Sequence, residues 1–362
     1  EEGLLGICDR QCRLCFGLAL WNGEDPILKE RLFGLTGPEG NHGEDVKEAY
    51  YYLDSTPSHS YLKALYKYPQ SEFPYGDLRE ENARRSRKEP EYELTNTGIF
   101  DEGRYFDIQM EYAKAADEDI LIRITIFNRG PKSAPLHFLP TWWFRNTWSW
   151  GPTLDRPSEK PSMEQIADTC LKAEHETLGE FRLFTDLGPD GETPDWLFTE
   201  NETNTWRFED PNSRRPSCKD AFHLAVVEGV EGVINPRPKG TKAAAHFKRV
   251  IPAGESVEFR LRMSAIDKLP ETPFGPEFDE IFAQRIDEAD RFADSLVEPG
   301  LSPDEQQILR QANAGLLWTK QFYHYVIPRW LENAGKGNKE PARRLPGMPS
   351  PRNADWGHLY NR

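Results

Sequence analysis

The sequence predicts a mainly β protein, a large antiparallel sandwich that gives way to helices. Three observations predict it. Apolar and polar residues alternate with period two through the first three-quarters of the chain, punctuated by Gly, Pro and Asp. No regular succession of strand and helix units is visible, which argues against a doubly wound or TIM-barrel arrangement. Near Ile266 the apolar period changes to three or four residues, the spacing of a helix.

The elements follow in order. Cys15 opens "CFGLALW", which reads as a strand, so its sulfur is expected to act as a small core hydrophobe. "YFDIQMEYAK" (105–114) sets Phe106, Ile108, Met110 and Tyr112 against Asp107, Gln109 and Glu111. After a short link, Ala115 to Glu118, "DILIRITIFNRG" places Ile120, Ile122, Ile124 and Ile126 on one face. The two form a period-two hairpin. "GEFRLFTD" and "FHLAVVEG" read as further strands. "PAG" (252–254) is a turn before "ESVEFRLRMSA", where Val257, Phe259, Leu261 and Met263 alternate with charge.

"DKLPETPFGP" (267–276) is a proline-rich linker. Beyond it, Phe278, Ile281, Phe282, Ile286, Ala289, Phe292, Ala293 and Leu296 recur at helical spacing, and Gly300 stops the helix. A second helix opens at Ser302, with Pro303 at the first turn and Glu305 completing a capping box. Ile308, Leu309, Leu316, Leu317, Trp318, Phe322 and Tyr323 make it apolar around its circumference, and Pro328 ends or kinks it. Two helices cannot bury that girth. The expected organisation is therefore a β-domain over 1–266, a linker with an amphipathic helix over 267–301, and the start of a helical domain over 302–362 whose remainder lies beyond Arg362. The start at Glu1 without methionine likewise suggests an N-terminus further upstream.

Composition narrows the partners. The 362 residues suffice for two sizeable cores. With 45 basic against 60 acidic residues, the net charge of −15 repels phosphate backbones and anionic membranes. No nucleic-acid or membrane partner is expected. The basic run "RRSRK" (84–88) sits among glutamates and reads as a solvated face. No stretch approaches the ~20 apolar residues of a membrane helix. No secretory signal is visible, and the sequon at Asn201 is of the frequency chance supplies. Cys8, Cys12 and Cys15 have the C-x3-C-x2-C spacing of a radical-SAM iron–sulfur site, but the strand–helix repeats of that fold do not follow. With Cys170 and Cys218 isolated, the thiols suit a reducing compartment, and the cytoplasm is the expected location.

Long words of uncommon residues carry a resemblance. The stretches Leu14 to Glu48, Tyr51 to Tyr75, "LPTWWFRNTWSWG" (139–151) and "NADWGHLYNR" (353–362) resemble bacterial proteins of the glycoside hydrolase family 63 type, glucosidases of the mannosyl-oligosaccharide glucosidase kind. The resemblance covers nearly the whole chain. It implies an N-terminal super-sandwich joined by a helical linker to a six-hairpin (α/α) barrel. It implies hydrolysis of α-glucosidic bonds with inversion, by a general acid and a general base typically about 6.5–9.5 Å apart. It implies no cofactor and no metal. In relatives the acid follows the words matching "NADWGHLYN", and the base lies near the far end of the barrel. Both positions fall beyond Arg362, so no catalytic residue is assigned in this chain, and Glu44, Asp45 and Asp355 are not substitutes for them.

Contact residues can still be named. Sugar rings stack on aromatic planes and pair their hydroxyls with polar neighbours. In "NADWGHLYNR", either Trp356 and Tyr360 offer planes and Asn353, Asp355 and Asn361 offer polar partners, or the segment is a loop that braces the barrel rim. "GNHGEDVKE" brings His42 and Glu44 as trimmers of a pocket or as parts of a surface turn; no further ligand at metal spacing lies nearby. Trp142, Trp143, Trp148 and Trp150, with Arg145, read either as sugar contacts or as packing between the sandwich and the helical barrel. A strand from near Leu136 would end at Trp143–Phe144, with 146–150 as the loop after it.

The expected role is thus the N-terminal part of an inverting α-glucosidase, inactive alone, whose partners are a carbohydrate and its own barrel. A glycoside phosphorylase of the same architecture and a non-catalytic carbohydrate-binding sandwich are the alternatives.

Overall fold

The computed structural model describes residues 3–30, 48–86, 88–149, 159–204, 217–297 and 299–318, and the backbone of 325–326 and 360–361. The chain divides into two compact units, Glu1–Trp318 and Thr319–Arg362.

The first unit is an antiparallel β-sandwich with a few helices. One sheet contains β1 (Leu4–Cys8), β2 (Leu14–Trp21), β7 (Ala134–Phe144), β13 (Lys242–Ile251) and β11 (Asp195–Thr199), in that spatial order. The other runs β12 (Lys239–Gly240), β8 (Ser162–Ala167), β9 (Cys170–His175), β10 (Gly179–Thr185), β14 (Ser256–Ala265), β6 (Asp119–Asn128), β5 (Tyr105–Ala116), β4 (Tyr61–Pro69) and β3 (Ala49–Ser55). Side chains one apart on a strand face opposite ways, so each strand supplies alternate residues to the space between the sheets. Phe16, Leu18 and Leu20 of β2 and Phe138, Trp142 and Phe144 of β7 meet Ile108, Met110 and Tyr112 of β5 and Ile122, Ile124 and Ile126 of β6 there. The expected hairpin is present: β5 and β6 pair from Phe106–Asn128 to Ala116–Asp119 around a two-residue turn.

The polar face of that hairpin is also covered. Helix α3 (Pro276–Ser295) sets Phe278, Ile281 and Phe282 over Tyr61, Ala113 and Leu121 on the outer side of the nine-stranded sheet. Among these apolar groups the charges are paired. Glu111 accepts hydrogen bonds from the Tyr61 hydroxyl at 2.6 Å and Arg123 Nε at 3.0 Å. Arg262 clasps Asp119 through Nε at 2.9 Å and Nη2 at 2.5 Å, and its Nη1 donates to the Pro273 carbonyl in the linker.

Helix α4 (Pro303–Trp318) starts as expected. Ser302 N and Oγ donate to Glu305 Oε2 at 2.8 and 2.7 Å, and Glu305 N returns a bond to Ser302 Oγ. Trp318 packs on Tyr52 of β3, ring centroids 5.1 Å apart, while Ile308 and Leu316 stand exposed. The residues expected to form the linker and the first helix of a barrel thus lie on the sandwich as far as Trp318. Phe322, Tyr323 and Pro328 fall outside the described residues.

One expected strand is a helix. "FHLAVVEG" forms α2 (Ala221–Val226). Phe222 and Val226, four apart, pack beside Ala19, Leu139 and Ala244 on the outer side of the five-stranded sheet, while Ala221 and Leu224 meet Val233. A short apolar run buried on several sides has no period to separate strand from helix. A further helix, α1 (Tyr75–Arg84), follows β4.

The second unit is described only as two short strands, β15 (Tyr325–Val326) and β16 (Tyr360–Asn361), paired antiparallel.

Candidate functional site

The segment that drew attention in the sequence leaves the sandwich at one end. There β7 finishes beside the start of β2, with Leu14 opposite Phe144, and beside the start of β13, with Lys242 opposite Trp143. β11 finishes opposite the same Lys242. The chain also changes sheets here, passing from β12 through Thr241 into β13. The close approach needs Gly240: a Cβ there would stand 2.4 Å from the Thr199 carbonyl oxygen.

Polar groups from four segments converge on this end. Thr241 Oγ1 donates to Glu200 Oε2 at 2.8 Å and accepts from Asn201 N at 2.8 Å. The Asn201 amide donates to the Phe144 carbonyl at 2.8 Å. Lys160, just before β8, bridges Glu200 at 2.8 Å and Glu202 at 2.7 Å, both just after β11, and so ties one sheet to the other. Trp148 donates its indole N–H to Glu202 at 2.8 Å, and the Lys160 amine lies 5.3 Å from the Trp148 ring centroid. Partial burial opposes the charge on Lys160, but the hydrogen bonds it donates to Glu200 and Glu202 outweigh that and hold its pKa above the usual value. The arrangement is an aromatic plane flanked by one cation and two carboxylates. It can present a face and hydrogen-bonding groups to a polar ring; both carboxylates are already engaged as acceptors.

The sequence-derived candidates divide. Trp142 lies between the sheets, wholly buried against Phe16, at 5.2 Å between ring centroids, and Trp196, at 6.2 Å. Its indole N–H has no hydrogen-bond partner among the described residues. It belongs to the sandwich core and is shut off from solvent. Trp143 faces the other way, its indole edge close to Gly17 and Gly3: a Cβ on Gly17 would meet Trp143 Cη2 at 3.3 Å. Trp148 joins the polar cluster. Arg145 follows β7, and its backbone N–H donates to the Arg13 carbonyl at 3.0 Å. His42, Glu44, Trp150, Asn353, Asp355 and Trp356 lie outside the described residues. Tyr360 and Asn361 are seen only as the backbone of β16. The cluster that unites Trp148 with Glu200, Glu202 and Lys160 was not read from the sequence. Its signal was "TENET" after a strand, which puts Glu200 and Glu202 two apart and so on one side.

Two further clusters surfaced. Of "GNHGEDVKE", only Glu48 is described, and its side chain is deeply buried. Lys29 Nζ donates to Glu48 Oε1 at 2.7 Å and to the Tyr75 hydroxyl at 2.5 Å, Tyr66 donates to Glu48 Oε2, and Tyr68 and Tyr75 donate to Asp25. Lys29 also stands 3.9 Å from the Phe73 ring centroid. Burial raises the pKa values of Asp25 and Glu48, and the Lys29 charge works against that rise. On the outer side of the five-stranded sheet, His137 Nδ1 and His246 Nε2 lie 2.9 Å apart. Burial first, then His137 and Lys248, push the His246 pKa down to about 3. No group of three or more potential metal ligands occurs among the described residues. No described helix is long and apolar enough to cross a membrane.

No family model matches the chain. A Saccharomyces cerevisiae protein described as uncharacterized is 39% identical over 398 residues, covering 99% of this chain and 36% of its own. The chain thus spans about a third of the length of the curated relative it matches. Among solved structures, a putative aldose 1-epimerase from Escherichia coli K12 aligns over 65% of this chain and 75% of its own, with 8% identity and a TM-score of 0.27. A likeness that low carries no argument about fold or function.

Proposed function

We propose that this chain is the N-terminal part of an inverting glycoside hydrolase of the family 63 type, acting on α-glucosidic bonds of oligosaccharides or small glycosides. The observation that carries the reading is the set of long matching words, above all "LPTWWFRNTWSWG" and "NADWGHLYNR". The order of elements is compatible with it: an antiparallel sandwich, then helices at 276–295 and 303–318. The (α/α) barrel, its general acid and its general base belong to residues beyond Arg362. In this reading, Asn353, Asp355, Trp356, Tyr360 and Asn361 approach the sugar, and His42, Glu44, Arg145, Trp148 and Trp150 shape the sandwich side of the pocket or its border with the barrel. Trp142 contributes to the core alone. The protein works without metal or cofactor, in the cytoplasm.

The test is to express the full open reading frame and follow an α-glucoside by proton NMR. Release of the β-anomer first, dependent on an aspartate beyond residue 362, supports the proposal. Cleavage that requires inorganic phosphate and yields a sugar phosphate replaces it with a phosphorylase. Absence of cleavage, with sugar binding by residues 1–362 that is lost in Trp148→Ala, replaces it with a non-catalytic binding sandwich.

A further inference from the structure

The three N-terminal cysteines take no part in that proposal, yet the fold gathers them. β1 and β2 form a hairpin in which Cys8 is directly opposite Cys15. The turn between them carries Cys12, which adopts a left-handed backbone with φ of 55°. A non-glycine residue holds that conformation only where its surroundings impose it. Here they do. Asp9 accepts hydrogen bonds from the backbone N–H groups of Gln11, Arg13 and Leu14 at 3.0, 2.6 and 2.9 Å, and from Arg13 Nε at 3.0 Å. Cys12 N donates to the Asp9 carbonyl at 2.8 Å. Arg13 in turn anchors the turn to Thr177, at the end of the opposite sheet, through its carbonyl at 3.2 Å and hydroxyl at 3.1 Å.

The outcome is that Cys8 Sγ and Cys12 Sγ lie 3.4 Å apart, in van der Waals contact and unbonded. Cys8 is exposed, Cys12 partly so, and Cys15 buried. A disulfide requires about 2.05 Å, so the two sulfurs need to approach by little more than ~1 Å. We propose that Cys8 and Cys12 are a dithiol modification site, closed to an intrachain disulfide by a small-molecule disulfide such as oxidised glutathione, with Cys15 left reduced. The proposal does not depend on the glycosidase reading.

The chemistry balances as two thiol–disulfide exchanges. The Cys8 thiolate attacks one sulfur of the small disulfide and expels a thiolate. The Cys12 thiolate then attacks Cys8 Sγ in the mixed disulfide and expels the second. The two protein thiols are oxidised by two electrons, the small disulfide is reduced to two thiols, and the two cysteine protons pass to the leaving thiolates through solvent. Exposure makes Cys8 the entry point and Cys12 the resolving group. The charged groups around the pair are Asp9, which disfavours thiolates, and Arg145, which favours the thiolate of Cys12. The hydrogen bond with Cys12 lowers the Cys8 pKa, but Cys15 and burial outweigh it and push Cys8 up to about 12, while the Cys8 thiol and burial push Cys12 higher. The resting pair is thus protonated at neutral pH, and exchange quickens as pH rises.

Trypsin separates the three cysteines, because Arg10 and Arg13 cut between them. The 362-residue chain is incubated with oxidised glutathione at pH 8, quenched in acid, alkylated with N-ethylmaleimide and digested. The expected result is a cross-linked pair of peptides 1–10 and 11–13, loss of maleimide from both, and maleimide retained on Cys15. Cys12→Ser should stop at a glutathione adduct on Cys8. A link from peptide 1–10 to the Cys15 peptide overturns the proposal, as does full alkylation of Cys8 and Cys12 after incubation, or glutathione on wild-type Cys8 with no internal link.

Discussion

Gly17 and His246 define what single residues decide here. Gly17 stands on β2, where a Cβ would lie 3.3 Å from Trp143 Cη2 and 3.2 Å from Gly3 Cα. Neither neighbour can give freely: one is backbone, and the other is a large ring that is itself mostly buried. Gly17→Ala is therefore expected to destabilise by about 1–3 kcal/mol, the usual penalty of overpacking. A urea midpoint equal to wild type would refute the close approach. His246 governs a pH dependence. Burial keeps it neutral with its pKa near 3, and burial and Lys248 lower His137 as well, while an imidazole in the unfolded chain titrates near ~6.5. The unfolded state thus binds the proton more readily. Stability from His246 is complete above pH ~6.5 and is lost as pH falls from there toward 3, by up to about 1.4 kcal/mol per pH unit. In His246→Gln the slope of stability between pH 6 and 4 should flatten by up to one proton. An unchanged slope in denaturant titrations would show that the pair already accommodates the charge.

At the scale of elements, capping and buried ion pairs make the testable differences. The Ser302–Glu305 box was legible because its side chains act on their own backbone, with no help from distant chain. Ser302→Ala is expected to cost about 1 kcal/mol of stability, measured by thermal melting; a loss below ~0.2 kcal/mol would mean the helix start is held by packing alone. Arg262–Asp119 was not legible. β14 and β6 alternate cleanly, and a reader assigns their charged faces to solvent, but α3 and its linker cover that face. Arg262→Met leaves Asp119 buried with Ser264 as a remaining donor and is expected to destabilise by about 3–5 kcal/mol. Restoring Asp119→Leu in the same chain should recover most of that loss. The period of each strand was readable for the same reason that its partners were not: alternation is local, whereas what covers a face is decided some 150 residues away. The α2 segment failed in the other direction, since burial on several sides erased its period. Of the candidate site, the aromatic plane of Trp148 could be foreseen, but Lys160 could not, because only the fold brings it to Glu200 and Glu202.

For the whole molecule, the open question is where the sandwich ends. Periodicity places a boundary at Ile266, where strands stop. Packing argues for a later one. Phe278 and Phe282 are fully buried on Tyr61, Ala113 and Leu121, and Arg123 lies 4.3 Å from the Phe282 ring centroid. Arg310 of α4 pairs with both Asp54 of β3 and Asp290 of α3, so α4 reaches the sheet and α3 together. Burying three large apolar side chains of α3 stabilises by roughly 4.5–9 kcal/mol, at about 1.5–3 kcal/mol each. That is of the order of the net stability of an entire domain. A chain ending at residue 266 should therefore lose most of its stability and bind a hydrophobic dye through the uncovered outer face. A chain ending at residue 318 should melt cooperatively and bind little. Equal melting temperatures for the two would mean that α3 and α4 are appended to a self-sufficient sandwich. A cooperative loss in the shorter chain alone would make the helices part of the sandwich's own core.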